Sequence, residues 1–162
     1  GESHYAWGRR YRLKVIEDSK AYRMALSGSK TMVLHTRPDT DRDRRERILN
    51  DWYRSELKAA IPGLIDKWSP TVGVEVEDWG VKKMKTRWGS CNANAQRIWL
   101  NLELAKKRPE CLEYVVVHEM VHMLERLHNE HFKDLMDTFM PNWRTHRDEL
   151  NRAPLAHEDW SY

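Results

Sequence analysis

The stretch Val115–Phe132, VVVHEMVHMLERLHNEHF, decides how the rest of the chain is read. His118, Glu119, His122, His128 and His131 stand among Val, Met and Leu, so titratable groups occupy the most apolar segment of the protein. The pattern predicts a helix from about Pro109 to Leu124, with proline suited to its first turn. On that helix His118 and His122, four residues apart, project from one face one turn apart. Glu119 is rotated from His118 by about 100°.

Two imidazoles so placed can bind a single ion. A carboxylate beside them, near the ion but not aimed at it, can take a proton from an attacking water. This is the H-E-x-x-H arrangement of zinc peptidases. Val117, Met120, Val121 and Met123 let the helix sit in a dry interior, where such electrostatics are less screened. The competing reading is a buried helix whose histidines are merely hydrogen-bonded. It leaves two histidines and a glutamate in an apolar setting with no cation to offset the cost.

A catalytic metal site needs a third protein ligand and an open fourth position. On a continuous helix His128 would lie about 15 Å from His118 along the axis, out of reach of a shared ion. His128 therefore qualifies only if the helix ends near residues 125–127 and the chain turns back. No glycine is present there, and Asn129, which tolerates the left-handed conformation, is the expected turn residue. His131, at the start of the next helix, is the competitor; a downstream acid such as Glu149 is the third candidate.

Outward from this segment, Glu130 to Met140 and Trp143 to Leu150 read as helices. Upstream, Tyr11–Ile16, Tyr22–Leu26 and Thr31–His35 read as short strands in an antiparallel meander, with Ser27–Ser29 as a turn. Arg42 to Ile61 has helical spacing, which Pro62-Gly63 is expected to break before a shorter helix to Trp68. Val72, Val74 and Val76 alternate with Gly73, Glu75 and Glu77 as in a strand. Met84–Trp88 and Ile98–Leu102 read as strands flanking a loop at 89–94. Strands, helix, strands, then helices indicate an α+β fold.

The chain has 162 residues, enough for one domain with a core of its own. We expect a single domain over 1–152 and a C-terminal tail over 153–162. Lys and Arg number 28 against 25 Asp and Glu, a balance too even to argue for nucleic acid by itself. The basic run Arg42–Arg47 is interleaved with acids and reads as a solvated helix face. Two cysteines, Cys91 and Cys111, do not make a secreted disulfide framework, so both are read as reduced thiols of a cytoplasmic protein. Neither a signal peptide nor a membrane helix is evident. The first residue is Gly1, which suggests sequence missing from the N-terminus.

Taken in order, Arg87-Trp88-Gly89-Ser90-Cys91, Ile98-Trp99-Leu100-Asn101, Tyr114 to His122, then His128, Phe132 and Met140-Pro141-Asn142-Trp143 resemble the YgjP-like metallopeptidase family, relatives of SprT-like and WLM zinc peptidases. Trp7 to Leu13 adds to the resemblance, which spans nearly the whole chain. It implies a small zincin-like domain, with N-terminal antiparallel strands, a mixed sheet and a C-terminal helical part carrying the buried motif helix. It implies one zinc ion per chain held by His118, His122 and His128 in an H-E-x-x-H-x5-H pattern, with Glu119 as general base for hydrolysis of a peptide or protein substrate. Glu125 stands where metzincins have glycine, so their turn is not implied. Asn129 and Lys133 stand where family members commonly have Ser and Trp.

Arg87, Tyr114 and His131 are candidate donors to the oxyanion. The Met84–Trp88 strand is a candidate edge along which substrate adds as a further strand. Two other functions compete. One is a zinc-containing binding module without turnover. The other is a DNA-associated protease by analogy with SprT-like relatives, for which the near-neutral balance gives little support.

Overall fold

A computed structural model describes residues 2–18 and 20–152. The tail expected at 153–162 lies outside the described residues. The chain opens with a tight hairpin: strand β1 (Ser3–Ala6) pairs antiparallel with β2 (Arg9–Ile16). Trp7 and Gly8 turn it, both at positive φ (51° and 82°), the conformation whose twist suits a two-residue hairpin. β1 was not anticipated, because only four residues of mixed polarity carry its alternation.

Strands β3 (Arg23–Ser27) and β4 (Thr31–His35) complete a sheet of order β1-β2-β4-β3. β3 pairs antiparallel with β4, but β4 lies parallel to β2, with Leu13 opposite Met32 and Val15 opposite Leu34. The expected meander is therefore corrected: β4 inserts between β2 and β3 because its Met32 and Leu34 belong in the core.

Helix α1 (Arg42–Val72) is capped at its start by Asp41, whose side chain accepts from the Arg44 N–H, and closed by Gly73 at φ 81°. It passes through Pro62 and Pro70 without breaking. Tyr53, Leu57, Ile61 and Ile65 are buried along one face at four-residue steps, and burial on both sides of Pro62 outweighs its missing hydrogen bond. Val72 thus ends a helix, and the strand expected from Val72 to Val76 begins later, as β5 (Asp78–Lys82).

β5 lies parallel to β7 (Arg97–Asn101), and β7 antiparallel to β6 (Gly89–Asn92), giving the order β5-β7-β6. The segment at 84–88 is not a strand. Two of its carbonyls are taken by a side chain rather than a ladder, the Asn101 amide donating to Met84 O at 3.0 Å and to Arg87 O at 2.7 Å, while the Asn101 backbone N–H donates to Trp88 O at 2.9 Å. The edge of this sheet is instead β6, inside the expected loop at 89–94.

A 3-10 helix (Leu102–Lys106) leads to α2 (Pro109–Val121), α3 (Glu130–Phe139) and α4 (Trp143–Arg152). Every residue of α2 from Tyr114 to Val121 is buried. The helix runs through the centre of the molecule, in contact with α1, α3, α4, β6 and β7. Cys91 and Cys111 are free thiols. Among the described residues, no helix is long and apolar enough to cross a membrane.

Candidate metal centre

His118 and Glu119 lie in the last turn of α2, at 1% and 2% exposure, and His122 caps its end. The chain then makes a tight turn, with Met123 and Leu124 amides donating to Met120 and Val121 carbonyls at 3.0 and 2.9 Å, and leaves the helical path. That departure returns His128 to the motif. The Nε2 atoms of His118 and His122 are 3.1 Å apart, those of His122 and His128 2.8 Å, and those of His128 and His118 3.3 Å.

Each imidazole Nε2 carries either a proton or a lone pair, never both roles at once. Of three mutually close nitrogens at least two must match, so hydrogen bonding alone leaves at least one repulsive pair. A cation bound by three lone pairs removes the conflict. Tetrahedral zinc with nitrogen at 2.0–2.1 Å places ligand nitrogens about 3.3 Å apart, close to the observed triangle. The residues therefore fit a metal.

The protonation states agree. Burial, with smaller contributions from His122 and His128, holds His118 well below the usual imidazole range. Burial followed by His122 and Arg87 brings His128 down to about 4, and burial also lowers His122. Neutral imidazoles are the ligand form. His122 Nδ1 lies 3.0 Å from the Glu125 carbonyl, to which it donates, leaving Nε2 free to bind.

Glu119 stands beside the triangle, its Oε2 4.0 Å from His118 Nε2. That oxygen is buried with no hydrogen-bond partner among the described residues. Burial raises the carboxyl to about 8 against the opposing charge of Arg87. An orphaned buried carboxylate oxygen beside converging imidazoles is a second sign of a site shaped for a cation.

Two other expectations find different places. His131 is exposed and lies 3.8 Å from Glu125, outside the triangle. Glu149, on α4, is held at the N-terminal end of α2 by Cys111 Sγ at 2.9 Å and Arg108 at 3.1 Å, and is not in the histidine cluster. Asn129 is not left-handed: at φ −108° and ψ −173° it is the N-cap of α3. Its Oδ1 accepts from the Phe132 N–H at 3.0 Å, and its amide donates to Glu125 Oε1. One residue thus ties the turn to the following helix.

Several contributors carry no metal-ligand signature. The Phe132 ring lies 4.6–5.1 Å from all three imidazoles and walls the site. A Cβ on Gly89 would come within 2.8 Å of Glu119 Oε2 and of Val115 Cγ1, so only glycine lets β6 approach Glu119 this closely. Asn101, fully buried, pins the strap that carries Arg87. The signal that could have found it is a lone asparagine within the otherwise apolar stretch Ile98–Leu102.

The site opens into a cleft of about 620 Å³ lined by β6, Arg87, Arg126 and the three histidines. Cys91 also lines it, its thiol pushed up to about 12 by burial and by Glu119. Of the oxyanion candidates, Arg87 faces this cleft, whereas the buried Tyr114 hydroxyl sits 3.5 Å from His118 Nδ1 and is not among the cleft-lining residues.

No curated protein sequence matches the chain. Among solved structures, the metallopeptidase zymogen of Methanocaldococcus jannaschii jannalysin is similar, with a TM-score of 0.49 and 16% identity over 57% of this chain and 94% of that one. The family model described as YgjP-like, metallopeptidase domain matches residues 1–153. This family implies a catalytic metal and a peptide or protein substrate. With the whole described chain inside that match, the protein belongs to the YgjP-like metallopeptidase family.

Proposed function

We propose that the protein is a zinc-dependent peptidase in which His118, His122 and His128 hold the metal and Glu119 is the general base. The observation that carries this reading is the convergence of three Nε2 atoms within 3.3 Å beside a buried carboxylate whose oxygen has no partner of its own. A zinc ion supplies Lewis acidity, which brings water within reach of deprotonation near neutral pH and polarises a carbonyl.

The chain's own residues do the rest. Glu119 takes the proton from the attacking water and passes it to the leaving amine nitrogen. Its position in a dry pocket keeps that transfer from bulk solvent. Arg87 is the donor that faces the developing negative charge on the carbonyl oxygen. β6, the edge strand lining the cleft, offers its outer backbone groups to an extended peptide, which adds as a fourth strand along β6 on the side away from β7. The corrected edge, Gly89–Asn92, replaces Met84–Trp88 in that role.

A zinc-bearing module without turnover would give Glu119 no task and would favour a fourth side chain closing the site. Only three candidate ligands cluster among the described residues. The test is Glu119→Gln, assayed on casein with metal content measured in parallel. The reading expects one zinc per chain and loss of cleavage; retained cleavage removes Glu119 from the role.

A further inference from the structure

The outer face of the N-terminal sheet has a charge pattern that the peptidase site does not use. Residues 1–50 contain 12 Lys and Arg against seven Asp and Glu, a net +5, while residues 51–162 contain 16 against 18, a net −2. The near-neutral whole hides this asymmetry. On β2, Tyr11, Leu13 and Val15 point inward toward α1, so Arg10, Arg12 and Lys14 alternate with them on the opposite face, and all three are exposed.

The register extends the face across the sheet. Arg23 lies on it opposite His35, and Tyr5 lies opposite Arg10. No strand residue on this face is acidic. None of Arg10, Arg12, Lys14 and Arg23 forms an ion pair among the described residues. Of the histidines on these strands, His35 pairs with Asp18 at 3.6 Å and His4, on the inward-facing register, with Glu2 at 3.1 Å. Like charges at two-residue steps repel. A face needed only for solubility would mix the signs.

Tyr5 supplies the second element. The residue is 52% exposed, while its backbone carbonyl accepts from the Tyr53 hydroxyl. An exposed aromatic beside a row of cations spaced about 7 Å apart is the arrangement that tracks a phosphate backbone and stacks a base. An anionic membrane is the competing occupant of such a face, and vesicles are the control in the test below.

We propose that the outer face of the β1-β2-β4-β3 sheet binds single-stranded nucleic acid, with Arg10, Arg12, Lys14 and Arg23 on successive phosphates and Tyr5 stacked on a base. The proposal does not depend on the peptidase reading, since none of these residues lines the metal cleft.

The test is fluorescence anisotropy of a labelled 15-residue oligothymidylate with the full, zinc-loaded chain. Four neutralised phosphates predict affinity falling about 50-fold between 50 and 200 mM salt. The variant Arg10→Ala/Arg12→Ala/Lys14→Ala should reduce that dependence to about threefold, and Tyr5→Ala should weaken binding about tenfold at fixed salt. The charge-conserving variant Arg10→Lys/Arg12→Lys/Lys14→Arg should restore the salt dependence, which separates loss of charge from loss of fold. The proposal is overturned if the alanine variant, folded as judged by its melting transition, binds like wild type. It is equally overturned if phosphatidylserine vesicles bind the wild type while the oligonucleotide does not.

Discussion

Helix α2 and the turn that follows it deliver imidazoles to the same point by opposite means. His118 is held in a helix buried on all sides, so its position follows from packing. His128 sits on an exposed turn next to Leu127, which is 65% exposed, and packing alone cannot fix it. A clasp of polar contacts does so instead. Glu125 accepts from His122 through its carbonyl and from Asn129 through its carboxylate, and Asn129 caps α3. Phe132, in the first turn of α3, then closes over all three rings. One part of the proposed site is thus set by the core, and the other by a polar turn that brings its imidazole back to the first.

The largest expected effect tests whether both parts serve one site. His118→Ala and His128→Ala should each reduce zinc from one per chain to near zero and bring casein cleavage to background, as should chelation of the wild type. Their stabilities should separate them. In the metal-free state His118→Ala should cost about 2 kcal/mol or more through a buried cavity, and His128→Ala no more than about 0.5 kcal/mol, read by urea unfolding. Equal costs would erase the distinction between core and clasp.

Next, Glu119→Gln should lower kcat by about 10²–10⁴-fold with zinc content unchanged. Gly89→Ala should then destabilise the protein by about 1–3 kcal/mol, because the new Cβ collides with Glu119 and Val115. It should also lower activity at constant zinc, since the displaced group is the proposed base. Smallest is the clasp itself. Asn129→Ala should cost about 1 kcal/mol as a lost cap and weaken zinc affinity about tenfold, while His131→Ala leaves zinc titrations unchanged. The reverse order for those two variants would move the ligand role to His131.

The core half of the site was the half most legible in the sequence. A four-residue histidine spacing within a continuous apolar run specifies a buried helix and its facing imidazoles with little room for another arrangement. The α+β order followed from equally periodic segments. Where the reading missed, a tertiary contact had replaced a local rule. Pro62 was expected to stop α1, yet Ile61 and Ile65 bury the helix on either side of it. The 84–88 segment has a strand's composition, but Asn101 takes the carbonyls a ladder would have used. Asn129 was assigned a left-handed turn for want of glycine, and the chain reversed through ordinary helical turns and an N-cap instead. Gly89 looked like a loop residue because its reason, the closeness of Glu119, lies thirty residues away in sequence.

The same limit explains the basic sheet face. Alternation along β2 was visible, but its lack of opposing acids depends on β4 lying parallel between β2 and β3. Register, not composition, assembles that surface.

The most direct test of the metal centre is an anomalous-scattering map at the zinc edge from crystals of the protein purified without added metal. The expected result is one ion about 2.0–2.1 Å from Nε2 of His118, His122 and His128, with no fourth side chain bound. Imidazoles turned away from a common centre, or a site closed by a fourth protein ligand, would contradict it.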